Sequence, residues 1–424
     1  MRFMPSVSVV MCTFNAESFL REALDSILAQ TFHDFELIVV DDASTDRTPE
    51  VLAEYSDPRI RVTRNSSNLG VGGARNRGLS LACGKYIAIH DADDTSVPDR
   101  LAQQVAYLDA NPGVGLIGSA QLHVITSKTL AETFPNIRDF KYPEAAVNPD
   151  KSGRVEFDTN WFTVPSSEPP MALVVSPLSD LAINWTLISH NAFANPTVMF
   201  RRSVYEKLGG FSEKPERRYV EDYPTYSLFA RHSRVANLEA PLVTHRGHDA
   251  SVSTQNEAEQ IRQMETAAKD NICWIMGWDS VPPVTWSAWR KFAFPSSAAS
   301  PITRGEVVEL CTLLPVITSN FYAVYGFEGG AEVARHRQRT LYAWGRHAIG
   351  LSYKPGKTAG LVSRLLLASL GVRLLGNVVF PAKTTRSCER PSVASCLQSD
   401  TNSLGVIETV SSTVTDSASA HYND

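Results

Sequence analysis

The sequence has no closely spaced cysteine pair. Its six cysteines fall at positions 12, 83, 273, 311, 388 and 396 of 424 residues, which gives no C-x-x-C spacing for a metal cluster. Buried free thiols in a reducing compartment are the expectation. A basic excess is also missing: 40 Lys and Arg stand against 45 Asp and Glu, for a net charge of −5. Proteins that track a phosphate backbone usually carry the opposite balance, so no nucleic-acid partner is expected. No run of 18 uninterrupted apolar residues occurs, so no membrane span is expected. The first apolar run, Val7 to Cys12, is too short for a signal peptide. G-x-x-x-x-G-K-[ST] is absent, so P-loop chemistry is unsupported. Gly70-Val71-Gly72-Gly73-Ala74-Arg75 fails the dinucleotide fingerprint, because Arg75 takes the sixth position.

What is present is alternation of two periodicities. Val7–Met11, Phe35–Val40, Ile60–Thr63, Tyr86–Ile89 and Val114–Ile117 read as buried strands. Between them, residues 20–28, 48–55, 73–82 and 100–108 carry helical spacing. Strand–helix alternation at this interval predicts an α/β fold, a mostly parallel sheet of βαβ units with flanking helices. Residues 1–250 form the expected α/β domain, with 121–190 as an irregular, proline-rich insertion. Residues 251–383 read as a helical C-terminal extension and 384–424 as a disordered Ser/Thr-rich tail.

Ligands of such sheets bind beyond the carboxyl ends of the strands. Three strand ends here are polar: Thr13-Phe14-Asn15, Asp41-Asp42-Ala43-Ser44 and Asp91-Ala92-Asp93-Asp94. Strand alternation would point Asp91 and Asp93 to one side, and close carboxylates repel unless a cation joins them. Mg²⁺ or Mn²⁺ suits such a pair, since these ions take one or two carboxylates plus substrate phosphates. Asp94 and Asp99 read as turn and cap residues. Asp42 is a candidate acceptor for a nucleobase or ribose donor. Ser44 and Asp46 read as helix caps. The glycines at 70–73 would let backbone approach a nucleotide, with Arg75 meeting its charge; a tight loop is the alternative. Asp222, in Glu221-Asp222 before a helical stretch, is either a cap or a general base for an acceptor hydroxyl.

These blocks resemble family 2 glycosyltransferases with the GT-A fold. The resemblance rests on Pro5–Met11 with Thr13-Phe14-Asn15, then on Leu28–Phe32 with Asp41–Asp46. Asn68-Leu69-Gly70 with Ala74–Gly78, and Asp91–Asp94 with Pro98–Leu101, continue it. Asn195–Arg202, Gly209-Gly210-Phe211 and Glu221-Asp222 complete it, so that it covers residues 5 to about 250. It makes residues 1–250 the catalytic domain and puts the insertion 121–190 on the acceptor side. It implies that Thr13, Phe14, Asn15, Glu17 and Asp42 hold the nucleotide. Asp91 would contact donor ribose or metal, Asp93 would ligate the metal, and Asp222 would be the base. It implies an inverting enzyme that uses Mn²⁺ or Mg²⁺ and a nucleotide-diphosphate sugar, first a UDP-sugar. A glycan or lipid-linked acceptor would fit polysaccharide or glycolipid synthesis. His248 is similar to a His that some relatives place near the diphosphate; a surface histidine is the alternative. The Q-x-x-R-W motif of processive members is absent, so single addition is expected.

Residues 335–383 hold nine Arg and Lys and no Asp or Glu. They are either a core helix of the extension or a peripheral contact with an anionic membrane surface, where each cation contributes ~1 kcal/mol. A cytoplasmic enzyme, peripheral to the membrane in the second case, is expected. A sugar-1-phosphate nucleotidyltransferase and a non-catalytic nucleotide-sugar-binding protein are the rival readings. Against the first, strand one ends in Thr13-Phe14-Asn15 rather than a glycine-rich, basic loop.

Overall fold

The computed structural model describes residues 4–124, 160–164, 171–248, 251–293, 303–327 and 329–336. Strands β1 (Val7–Thr13), β2 (Phe35–Asp41), β3 (Ile60–Arg64) and β4 (Tyr86–Asp91) lie parallel in the order β3-β2-β1-β4. Helices α1 (Leu20–Leu28), α2 (Thr48–Ala53) and α3 (Gly70–Leu81) make the crossovers. After β5 (Thr95–Ser96), α4 (Arg100–Ala110) leads to β6 (Val114–Val124).

The central strands are mostly apolar along their length because helices cover both faces. Alternation sends Val7, Val9 and Met11 to one face, against Leu20, Leu24 and Ile27 of α1. Val10 goes to the other face with Ile87, Ile89 and Phe200. Helix α3 packs unusually close there: a Cβ on Gly78 would stand 2.6 Å from Val10 Cγ1. Parallel register brings the strand ends to one rim, with Thr13 opposite Asp41 and Cys12 opposite Asp91.

The sheet is mixed beyond β4. The span 121–190, expected to be irregular, contains β7 (Asn160–Val164), β8 (Met171–Val175) and α5 (Asp180–Thr186) among its described residues. Met171-Ala172-Leu173-Val174-Val175 is an apolar run that pairs antiparallel with β6, so its order follows from edge pairing and burial. Pro135, Pro143, Pro149, Pro165, Pro169 and Pro170, which suggested irregularity, lie outside the described residues. Strand β9 (Met199–Arg201) runs antiparallel between β4 and β6. Helices α6 (Arg202–Leu208) and α7 (Asp222–His232) follow, and β10 (Arg234–Arg246) pairs parallel with β6.

The chain continues as helices α8 (Val252–Gln255), α9 (Glu257–Met276), α10 (Pro283–Ala293) and α11 (Arg304–Tyr325). Ile272, Trp289, Leu314, Ile317 and Phe321 form their shared core with Leu181 and Ile188. A capping box of Thr303 and Glu306 starts α11. Its segment Val308–Tyr325 is long and apolar enough to cross a membrane by length and composition, and about half of it is buried among its neighbours. The basic span proposed to meet a membrane lies, from 337 onward, outside the described residues, as does the tail 384–424.

Candidate active site

The first two strand ends are laced to each other. Asn15 N donates to Ser44 Oγ at 2.9 Å, and Thr45 N donates to Asn15 Oδ1 at 2.8 Å. Glu17 Oε2 accepts from Arg47 N at 2.8 Å, while Glu17 N donates to Asp46 Oδ2 at 3.1 Å. Asn15 and Ala43 both hold left-handed backbone, at φ 52° and 66°. For a non-glycine residue this costs about 1–2 kcal/mol, and such strain clusters at functional sites. Above this lacing, Phe14 is 48% exposed, a large ring left on the rim. Thr13 is buried, and its Oγ1 has no hydrogen-bond partner among the described residues.

Asp42 is turned toward the protein. Its carboxylate accepts from Leu69 N and Gly70 N, each at 2.9 Å, and from Asn65 Nδ2 at 2.8 Å. It therefore closes the amino end of α3, where Gly70 takes φ 76°.

At the end of β4 the carboxylates converge on one buried cation. Arg75 Nη1 donates to Glu221 Oε1 at 2.5 Å, and Nη2 reaches Asp91 Oδ1 at 3.4 Å. The guanidinium also lies over the Phe211 ring, 5.3 Å from its centre. Arg75, expected to meet a nucleotide's charge, is instead enclosed by the protein's own carboxylates. The sequence could not show this, because Glu221 is 146 residues away. Asn195 Nδ2 donates to both oxygens of Asp91 at 3.0 and 3.1 Å, and Tyr226 OH holds Asn195 Oδ1 at 2.7 Å. Asp222 adjoins Glu221 as the first residue of α7; Asn191 Nδ2 donates to its Oδ2 at 2.8 Å.

Burial disfavours the charged form of all three carboxyls. It pushes Asp91 up to about 6 against the pull of Arg75, with Asp94 and Asp93 adding to the rise. Glu221 goes up to about 7, again from burial opposed by Arg75, with Asp222 raising it further. Asp222 is raised as well, by burial.

Asp93 stands apart from this group. Strand β4 stops at Asp91, so the alternation expected to align the two carboxylates does not continue to Asp93. Asp93 Oδ2 lies 3.0 Å from His248 Nε2, and the His248 ring stacks on Phe19 at 4.5 Å. The turn is clamped from β10: Arg246 N donates to Asp94 Oδ1 at 3.0 Å and Arg246 Nε to Asp93 O at 2.5 Å. Asp94 is fully buried and faces His245 Nδ1 at 3.1 Å. Although burial pulls His245 down, the bond and charge of Asp94 carry it up to about 9. Asp99 precedes α4 without capping it; its carboxylate accepts from Gln103.

Several residues under and around the site had no role assigned to them from the sequence. Arg100 is fully buried beneath the turn, donating to Ile89 O at 2.8 Å and Ser96 Oγ at 3.0 Å. Its spacing to Gln104 on the face that carries Leu101 and Leu108 was the available signal. Asn195, which orients Asp91, lies in a block that carried the resemblance but had no role of its own, and Asn191, which orients Asp222, gave no signal, because an ordinary asparagine carries no periodicity.

Among the described residues no three His, Cys, Asp or Glu side chains stand close enough to hold a metal unaided. Divalent cations such as Mg²⁺ take one or two protein carboxylates and fill the remaining positions with phosphate oxygens and water. Asp93 with His248 offers an oxygen–nitrogen pair, and buried His248 Nδ1 has no partner among the described residues. Asp91, crowded by Asp93 and Asp94, supplies further negative charge. These residues fit such an ion together with a substrate diphosphate.

Comparison with known proteins defines the class. The model of the family described as glycosyl transferase family 2 matches residues 8–161. An uncharacterized glycosyltransferase of Haemophilus influenzae is 31% identical over 274 residues, 64% of this chain and 75% of that protein. The Escherichia coli protein named UDP-Glc:alpha-D-GlcNAc-diphosphoundecaprenol beta-1,3-glucosyltransferase WfgD is 38% identical over 105 residues, 25% of this chain and 42% of that one. The crystal structure of S. aureus TarS 1–349 in complex with UDP-GlcNAc covers 86% of this chain and 91% of its own, at 18% identity and TM-score 0.45. The fold, a mixed α/β sheet with flanking helices and an acidic rim, is of the glycosyltransferase GT-A class. The chain belongs to glycosyltransferase family 2.

Proposed function

We propose that this chain adds a single sugar, with inversion, from a nucleotide-diphosphate donor to an acceptor hydroxyl on a glycan or lipid carrier. A UDP-sugar is the first donor to test; the relative named for UDP-Glc and a diphosphoundecaprenol acceptor supports that choice. One observation carries the reading. Arg75 ties Asp91, at the end of β4, to Glu221, the neighbour of Asp222, so donor-side and acceptor-side carboxylates share one rim.

In this mechanism Asp222 takes the acceptor proton as the hydroxyl attacks the anomeric carbon. Burial raises its proton affinity, and Asn191 fixes one carboxylate oxygen. Thr13, Phe14, Asn15, Glu17 and Asp42 border the nucleotide, with Phe14 offering its exposed ring to the base. Asp93 with His248, and Asp91 beside them, would hold Mn²⁺ or Mg²⁺, which supplies Lewis-acid stabilisation of the leaving diphosphate. Arg75 keeps Asp91 and Glu221 together, and Arg100 supports the turn that carries Asp93. We place the enzyme in the cytoplasm, with residues 335–383 bringing positive charge to a membrane that carries the acceptor.

A panel of UDP- and GDP-sugars with Mn²⁺, read as diphosphate release, tests the reading. Asp222→Asn is expected to lower turnover at least ~100-fold, the scale of a general base. Near-wild-type release by that variant would remove Asp222 from the role.

A further inference from the structure

The segment between Phe211 and Asp222 is held at both ends by different parts of the chain. At its start, Asn76 of α3 donates to Phe211 O at 2.9 Å and Glu213 Oε1 at 2.7 Å, and accepts from Phe211 N at 2.9 Å. At its far end the grip comes from α9, downstream of the sheet. Gln263 Oε1 accepts from Tyr219 N at 2.9 Å, and its Nε2 reaches Pro215 O at 3.4 Å. Gln260 Nε2 donates to Tyr219 O at 3.2 Å, and Arg217 pairs with Asp270. Gln263 is buried, so these bonds to backbone are protected from water.

Helix α9 also grips the helix that Asp222 opens. Buried Asn271 Nδ2 donates to Leu187 O at 2.5 Å and to Ser227 Oγ at 3.0 Å, while Arg231 Nη2 donates to Asn271 Oδ1 at 2.6 Å. Tyr223, next to Asp222, donates its hydroxyl to the same Leu187 O at 2.8 Å. Thus one face of α9 bonds the backbone three residues before Asp222 and the helix just after it. None of the hydrogen bonds and ion pairs found for α9 among the described residues runs to the ends of β1, β2 or β4.

We propose that Gln263 and Asn271 of α9 are positioning residues that fix the Glu221–Asp222 carboxylates for the acceptor step while making no bond of their own to the donor cradle. The C-terminal helices are then part of the transfer machinery through α9. This rests on the reading of Asp222 as the base. A side chain that only stabilised the fold would weaken donor binding and turnover together; a positioning residue separates them.

The test uses the full chain with Gln263→Leu, Gln263→Glu and Asp222→Asn. Amide hydrogen exchange is followed across 215–224, UDP affinity is measured by calorimetry with Mn²⁺, and turnover is read on the donor the wild-type enzyme uses. Gln263→Leu is expected to speed exchange at the Tyr219 and Tyr223 amides at least ~10-fold and to lower turnover at least ~10-fold, the scale of a small misplacement of a catalytic group. UDP affinity should stay within ~2-fold, because α9 makes no bond to the nucleotide rim. Gln263→Glu keeps an acceptor for Tyr219 N and should restore slow exchange at that amide. Unchanged exchange at 219–223, turnover within twofold of wild type, or equal loss of UDP binding and turnover in Gln263→Leu would each overturn the proposal. Asp222→Asn separates the two claims. If it retains turnover, the base assignment fails, while the exchange data still judge the coupling.

Discussion

Removing Arg75 should expose how the site stores its electrostatic stress. The side chain is buried, with ion pairs to Glu221 at 2.5 Å and Asp91 at 3.4 Å, and Met would keep its stem while deleting the charge. Breaking a buried pair by removing one partner costs roughly 3–5 kcal/mol, because a charge is left uncompensated. Here the carboxyls can escape by taking protons. Burial already pushes Asp91 up to about 6 and Glu221 up to about 7 while Arg75 opposes it, so without Arg75 both rise further. The sign follows from linkage. A carboxyl whose folded pKa exceeds its unfolded value binds more protons when folded, so stability falls as pH rises between the two values. Arg75→Met should therefore lose about 3 kcal/mol at pH 8 and markedly less at pH 5.5, read from urea midpoints. Adding Glu221→Gln to Arg75→Met should recover about 1–2 kcal/mol at pH 8, since it removes one of the stranded charges. A loss below ~1 kcal/mol, the same loss at both pH values, or no recovery in the double variant would refute the reasoning.

Other expectations follow from single contacts. Gly72→Ala would place a Cβ 2.6 Å from Ser212 O, a backbone atom that must move, so turnover should fall about 10- to 100-fold with stability little changed. The acid limb of the turnover–pH profile should lie above the ordinary carboxylate range, because burial raises Glu221 and Asp222; activity should vanish as pH falls through that limb. An acid limb near pH 4 would contradict the buried geometry. Glu306 is held down to about 2: burial opposes this, but Lys291, Ser287 and the Thr303 amide outweigh it. Its folded value lies below the unfolded one, so its contribution is present above about pH 4.5 and is lost as pH falls toward 2. Glu306→Gln should remove that acid-side loss from the thermal unfolding of α10 and α11, at a cost on the order of 1 kcal/mol at neutral pH for the weakened cap.

Local chemistry explains what was legible in the sequence. Val7–Met11 and Phe35–Val40 are mostly apolar runs, each broken by a single polar residue (Ser8 and Glu36) and bounded by polar turns, and such runs have few alternatives to a buried parallel strand. The rim position of Asp42, Asp91 and Asp93 followed, because parallel strands end together. What was hidden depends on contacts far apart in sequence. The pairing of Arg75 with Glu221 joins the middle of α3 to the residue before α7, and Asp94 meets His245 only because β10 returns beside β5. The different partners of Asp91 and Asp93 were hidden for a local reason: the strand ends at Asp91, two residues before Asp93, so alternation does not apply to it. Order in 171–186 was obscured by flanking prolines, although its apolar run satisfies the edge of β6.

The central claim is that the acidic loops on one rim receive the donor and its cation together. A crystal structure of the full chain with UDP and Mn²⁺ tests it most directly. The account predicts Mn²⁺ within coordination distance of Asp93 and the diphosphate, the uracil beside Phe14, and Asp222 facing the open side of the phosphate. Manganese away from Asp93, or UDP on another face of the sheet, would contradict it.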